Sequence, residues 1–224
     1  SCDKNSTTKK ISVFDTTLRD GEQTPGVSFT TADKIEIARQ LSAIGVSVIE
    51  AGFPASSAEE FATVRDIASE GLESVVCGLA RSVTGDVDRC IDAGVGMVHV
   101  FIPTSEVQRT HTIRKTHDEV VAITGDIVRY ARDHIGEVIF SAMDATRTPL
   151  PGLIEVYEAA VEAGATAINV PDTVGVATPT SMKALIAALR ERIHCTIDVH
   201  CHNDFGMATA NTISAVEAGA DQVQ

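Results

Sequence analysis

One short step recurs along the chain and narrows its folding options more than any other feature. It appears as IGVSVIE around Gly45, AGVGMVHV around Gly94, AGATAINV around Gly164 and AGADQVQ around Gly219. Each copy sets a glycine after a run of helix-forming residues. The glycine can take the left-handed conformation that stops a helix. A β-branched run then follows, as expected of a buried strand. The copies recur at roughly 25–30 residues, the length of a βα unit, and the wider interval from Gly94 to Gly164 holds two units. Strands linked through helices in this way pair in parallel, because a parallel neighbour needs a long crossover.

The patterning predicts strands at 11–15, 47–51, 74–78, 97–102, 137–141, 167–170 and 196–200, with another beginning at Gln222. It predicts helices at 32–43, 59–69, 86–93, 118–133, 152–163, 181–192 and 208–218, the sixth capped by Thr180 or Ser181 after Pro179. Seven strand–helix units and the onset of an eighth strand indicate an α/β fold of the TIM (β/α)8 type. A doubly wound sheet is the rival, but no GxGxxG follows the first strand. Residues 1–10, SCDKNSTTKK, lack the apolar centre of a signal peptide and read as a disordered polar leader. Residues 11–224 then form one barrel. It is expected to be incomplete at its C-terminal end, lacking helix eight and the rest of strand eight, with two strand edges exposed.

Composition agrees. The apolar share is 44%, aromatics are 4% and there is no Trp, so the core rests on Val, Ile, Leu and Ala, as in parallel sheets buried on both faces. A net charge of −13 repels phosphate backbones and argues against a nucleic-acid partner. The five cysteines are odd in number and form no CxxC pair, which points to a reducing, cytoplasmic setting rather than a disulfide framework. No apolar run reaches the length of a membrane span, so no membrane partner is expected.

In such barrels the reactive groups sit at the C-terminal ends of strands. Strand one leads into FDTTLRDGEQTPG and strand seven into VHCHNDFG, the two richest polar segments. His200 and His202 are two apart, so alternation turns both imidazoles to one side and Cys201 to the other. With Asp20 from strand one they make a typical divalent-metal set. An HxH pair alone fits histidines bonded to backbone equally well; the ND that follows and the RD pair on strand one favour the ligand reading. Arg19 can grip a carboxylate or stabilise an oxyanion, or form a salt bridge across the mouth. Asn203 and Asp204 orient the histidines or cap the next helix, the cap being the blander role for Asp204. Glu50 points at the mouth or is buried with a partner. Strand four offers His99, strand five Ser141 and Asp144, and strand six Asn169, Asp172 and Thr173. Thr173 could bond a substrate carboxylate or only shape the turn. His111, His117, His134 and His194 read as solvated or structural.

DTTLRDGEQTPG from Asp15, IEAGFP from Ile49, NVPDTVG from Asn169 and HCHNDFGMA from His200 resemble the catalytic barrel of the 2-isopropylmalate, homocitrate and citramalate synthases. The similarity runs from about Ile11 to the last residue, in order and spacing. GEQ after RD resembles these acyl-transferring enzymes rather than the related lyases and pyruvate carboxylase domains. The resemblance implies a metal-dependent Claisen condensation of acetyl-CoA with a 2-oxo acid, and a homodimer. It implies Asp20, His200 and His202 as metal ligands, Arg19 as catalytic, and His99, Ser141 and Thr173 as the lining of the oxo-acid pocket. Two departures stand out. Met143 occupies a position where the family usually has Glu, and a thioether transfers no protons. The family's fourth ligand, an Asn, follows strand eight and is absent from this sequence.

The leading expectation is therefore an acyltransferase making 2-isopropylmalate in leucine biosynthesis. Citramalate and homocitrate synthases are the near rivals, since one methylene carries only about 1–3 kcal/mol of discrimination. A metal-dependent aldolase or lyase, and a non-catalytic metal-binding barrel, are the more distant ones. Two imidazoles and a carboxylate suit Zn or Mn, and added oxygen ligands suit Mg or Mn.

Overall fold

The computed structural model describes residues 9–224. Most of the polar leader, with Cys2, lies outside the described residues. Eight parallel strands form a closed barrel in sequence order. They are β1 (Ser12–Asp15), β2 (Val48–Gly52), β3 (Val75–Arg81), β4 (Met97–Pro103), β5 (Glu137–Met143), β6 (Ala167–Asp172), β7 (Thr196–Cys201) and β8 (Gln222–Val223). The helices are α1 (Thr31–Ala43), α2 (Ala58–Ala68), α3 (Thr84–Asp92), the single turn α4 (Glu106–Gln108), α5 (His117–His134), α6 (Leu150–Glu162), α7 (Pro179–Arg190) and α8 (Ala208–Ala218). No helix among the described residues is long and apolar enough to cross a membrane.

The repeated step behaves as its glycines require. Gly45, Gly94, Gly164 and Gly219 all have positive φ and each ends a helix just before a strand. The short eighth strand modifies the expectation of two open edges. Its residues pair with both neighbours, Ser12 with Gln222 and Val13 with Val223 on one side, Asp198 with Gln222 and Val199 with Val223 on the other. Two residues thus suffice to join β7 to β1. The cap of α7 is Thr178, two or three residues earlier than expected: its hydroxyl accepts from Ser181 N–H, and Pro179 occupies the first helical position. That placement suits proline, whose missing N–H would be unpaired there anyway. The turn α4 and the π-helical stretch Arg109–Ile113 after it were not anticipated, because their polar sequence has no helical period.

Alternation along the strands builds two distinct cores. Ile49, Val98, Val100, Val138, Phe140, Ile168, Val170, Ile197 and Val199 join the large cluster between sheet and helices. Phe14, Val48, Cys77, Met97, Ile139 and Ala167, one from each of β1 to β6, form a separate plug inside the barrel. The next inward positions along β2, β4, β5, β6 and β7 are Glu50, His99, Ser141, Asn169 and Asp198, all buried. The barrel interior is therefore oil at one end and polar at the other. That arrangement fixes where a site can be.

At the polar end a buried cation on α1 ties the segment after β1 to the start of α2. Lys34, 3% exposed, reaches Glu22 at 2.6 Å and Glu60 at 2.9 Å. Glu60 Oε1 also accepts from Phe53 N–H at 3.1 Å. It lies so close to β2 that a Cβ on Gly52 would sit 2.0 Å from it. Gly52→Ala is expected to evict Glu60 from both partners and to cost about 1–3 kcal/mol, the range of an overpacked core. Urea unfolding measures this; an unchanged midpoint would mean that the fold does not depend on the Glu60 contacts.

Candidate metal centre at the barrel mouth

Three ligand-bearing side chains converge above the polar layer. One nitrogen from each of His200 and His202 and one oxygen of Asp20 all lie within 4.8 Å of one another. The imidazoles come from alternate positions at the end of β7, and Asp20 comes from the turn after β1, whose backbone folds back on Thr16 O through the N–H groups of Arg19, Asp20 and Gly21. His200 Nε2 lies 3.2 Å from His202 Nε2 and 3.5 Å from Asp20 Oδ2. Two nitrogens each about 2.1 Å from one cation would be about 3.0–3.4 Å apart at octahedral to tetrahedral angles. The donor set and its spacing therefore fit a divalent cation.

The cleft around these groups holds about 320 Å³. Arg19, His99, Ser141, Asn169, Thr173 and Gln224 give it polar walls, and Leu79, Phe101, Met143 and Pro171 give it apolar ones. Beneath it, side chains join into a ring. Arg19 Nε donates to Glu50 Oε2 at 2.6 Å. Glu50 Oε1 meets His99 Nδ1 at 2.6 Å, and His99 Nε2 meets Ser141 Oγ at 2.7 Å. Ser141 donates to Asn169 Oδ1 at 2.5 Å, and Asn169 Nδ2 donates to Asp198 Oδ2 at 2.6 Å. Gln224 Nε2 donates to the same Asp198 oxygen, and Gln224 Oε1 meets His200 Nδ1 at 2.6 Å. Arg19 Nη1 closes the ring by donating to Asp20 Oδ1 at 3.0 Å.

This ring explains the charges. Burial would push Glu50 up, but Arg19 and His99 outweigh it and hold the carboxyl at about 2. The His200 hydrogen bond, with help from Arg19, brings Asp20 down to about 2 against its own partial burial. Burial lowers Arg19, yet Glu50 and Asp20 together leave it raised. For His200 burial pulls down, and the Asp20 and Gln224 bonds more than compensate. Asp198 is the exception. Burial pushes it up to about 7 despite donations from Asn169 and Gln224, and its Oδ1 has no partner among the described residues.

The expected residues sort clearly. Asp20, Arg19, His99, Ser141, Thr173, His200 and His202 all line one cleft. Glu50 is the buried acid with partners, not a group at the mouth. Of the two residues offered as caps, it is Asn203 that acts: its Oδ1 accepts from Ala208 N–H at 3.1 Å, at the start of α8. Asp204 packs against Gly175 instead. Asp144 lies beneath a loop, bonded to Ser105 and Arg147. Sequence reasoning missed Asp198 and Gln224. Asp198 was readable, since it precedes His200 by two residues on the same strand face. Gln224 was not, because strand eight is too short to establish a period.

Comparisons place this geometry among known proteins. The sequence matches the family described as HMGL-like over residues 10–224. It is 56% identical over 216 residues to a probable 2-isopropylmalate synthase of Methanosarcina acetivorans, covering 96% of this chain and 42% of that protein. It is 53% identical over 214 residues to the 2-isopropylmalate synthase of Methanocaldococcus jannaschii, covering 96% and 41%. A putative (R)-citramalate synthase of Methanopyrus kandleri is 50% identical over 216 residues, covering 96% and 42%. The chain thus spans about two fifths of the length of these relatives. Among solved structures, an HMG-CoA lyase of Bacillus subtilis superposes with a TM-score of 0.83 at 25% identity, covering 96% of this chain and 76% of that one.

The buried Glu50 yields a direct prediction. Its folded value of about 2 lies below its ordinary 4.5, so it stabilises the fold fully above 4.5, and that contribution disappears as pH falls from there toward 2. Glu50→Leu is expected to cost about 3–5 kcal/mol at neutral pH, the range for breaking a buried pair. It should also flatten the dependence of stability on pH in that acid window. Chemical denaturation at several pH values tests both; a variant with the wild-type acid slope would assign the slope to other carboxylates.

Proposed function

This chain belongs to the HMGL-like family, and from that premise we propose that it is the condensing barrel of a 2-isopropylmalate synthase. The reaction joins the methyl carbon of acetyl-CoA to the keto carbon of 2-oxoisovalerate and releases CoA by hydrolysis, as a step of leucine biosynthesis. The observation that carries the reading is the Asp20, His200 and His202 cluster beside Arg19, in a chain more than half identical to proteins bearing that name. The four described cysteines are free, which supports a reducing compartment such as the cytoplasm.

Each residue has a task suited to its surroundings. Asp20, His200 and His202 hold Mn, Mg or Zn. When bound, that cation supplies positive charge which polarises the keto group of the 2-oxo acid. Arg19 is held from behind by Glu50, so its guanidinium is fixed where an oxyanion develops and need not reorganise. Thr173 Oγ1 accepts from Asp144 N–H at 2.9 Å, which leaves its hydroxyl proton for a substrate carboxylate. His99 and Ser141 form the polar floor of the same pocket. Leu79, Phe101, Met143 and Pro171 offer an apolar wall to an aliphatic side chain. Met143 fills that wall and moves no proton, so the base that deprotonates acetyl-CoA is another group.

A citramalate synthase is the second reading, favoured by the Methanopyrus relative of that description. It would use pyruvate and leave the apolar wall partly unfilled. The test offers the full-length protein acetyl-CoA, Mn or Mg, and 2-oxoisovalerate, pyruvate or 2-oxoglutarate in parallel, and follows thiol release. Release with 2-oxoisovalerate alone is the expected result. Release with pyruvate alone selects the second reading, and no release from metal-loaded protein removes both. Chelation should abolish turnover, and Arg19→Lys should lower kcat by about 10²–10³-fold, the loss for one oxyanion donor.

A further inference from the structure

His200 bonds a side chain to which the proposed reaction gives no task. Its Nδ1 lies 2.6 Å from Gln224 Oε1, and the other end of that amide donates to Asp198 Oδ2. An amide has one accepting end and one donating end, so whichever group fixes one end decides what the other offers. The orientation here is fixed from the far side of the barrel. Ser141 gives its single hydroxyl proton to Asn169 Oδ1. Asn169 therefore turns its NH2 toward Asp198 Oδ2, which makes that oxygen an acceptor. Gln224 meets the same oxygen and must present its NH2 as well. Its carbonyl is left facing His200. A reversed Gln224 would set two acceptors against each other at Asp198. A proton on Asp198 Oδ1, the oxygen with no partner among the described residues, would leave Oδ2 accepting from both amides.

We infer that Gln224 is a positioning residue: it holds His200 protonated at Nδ1, so that Nε2 faces Asp20 and His202 with its lone pair directed at the cation. The second nitrogen of a ligating imidazole sets which tautomer is present and how the ring is aimed. In this barrel the setting passes through Ser141, Asn169, Asp198 and Gln224, on β5, on β6, on β7 and directly after β8. The backbone holds Gln224 in register, since its N–H donates to Val199 O at 3.0 Å. His200 is thereby aimed from β5, β6 and the residue after β8 as well as from its own strand.

The inference rests on the ligand role proposed for His200, and its readouts involve no turnover. Failure here is therefore separable from failure of the condensation reading. Zinc is the probe, because it is diamagnetic and suits this donor set. In zinc-loaded protein, long-range proton–nitrogen NMR should find His200 bound through Nε2, with a slowly exchanging proton on Nδ1. Gln224→Met keeps length but removes the acceptor; it should weaken zinc binding by about 10–100-fold and abolish the slow exchange. Gln224→Glu keeps an acceptor toward His200 but loses the donor to Asp198, so it should bind zinc more tightly than Gln224→Met, a partial rescue that a merely space-filling role would not produce. Wild-type protein bound through Nδ1, or a folded Gln224→Met protein with undiminished zinc affinity, overturns the inference. If Gln224→Met does not fold, the wild-type spectrum decides alone.

Discussion

The buried carboxylate of Glu50 is the contact on which the mouth of this barrel depends. It is fully enclosed, and an enclosed charge is tolerated only when paired and hydrogen-bonded. Both oxygens are used, one by Arg19 and one by His99. Arg19 lies directly before Asp20, so the acid that neutralises the guanidinium also settles the turn carrying a candidate ligand. His99 passes the order on to Ser141 and thence around the barrel. Removing Glu50 would strand a cation and free both the turn after β1 and the His99 ring. Removing any more exposed member of the ring would disturb only its neighbours.

Strand register turns this contact into a site. Inward positions recur every two residues, so sliding any strand by one would exchange its polar members for aliphatic ones. The change from the Phe14, Val48, Cys77, Met97, Ile139 and Ala167 plug to the Glu50, His99, Ser141, Asn169 and Asp198 layer takes a single inward step. The apolar plug excludes water from below. The polar layer can then keep strong hydrogen bonds, because little solvent competes for its donors. The end of β7 and the turn after β1, above both layers, carry the candidate ligands His200, His202 and Asp20. The gradient from oil to polar to open is what makes one end of the barrel chemical and the other structural.

Much of this was legible from residues alone, and the reasons differ by element. The glycine step marks helix ends through backbone sterics, so strand order and helix positions followed from local chemistry. Asp20, His200 and His202 stood at strand ends, where barrel geometry brings distant segments together. What escaped was long-range. Nothing local in IEAGFP distinguishes a Glu50 that faces solvent from one bound to Arg19 and His99. Asn203 and Asp204 are equally good caps by type; the path of the loop selects Asn203, as Asp204 is pressed against Gly175. Thr178 displaced the expected cap of α7 because Pro179 prefers the first helical position and so draws the helix start two or three residues earlier.

The charge balance of the cleft bears on how substrates would enter it. Asp20 and Glu50 are held well below the ordinary carboxylate range, and Arg19 lies between them. Two carboxylates against one guanidinium leave the mouth with a net negative charge, so the protein alone does not attract an anion there. On the proposed reading, a divalent cation tips that balance toward positive. An anionic 2-oxo acid then has reason to bind after the cation and not before, since only the loaded site offers it uncompensated charge. The overall charge of −13 sharpens this point, because the rest of the surface repels both the oxo acid and the phosphates of acetyl-CoA. The cation would serve as more than a Lewis acid: it would make an acidic protein locally hospitable to its own anionic substrates.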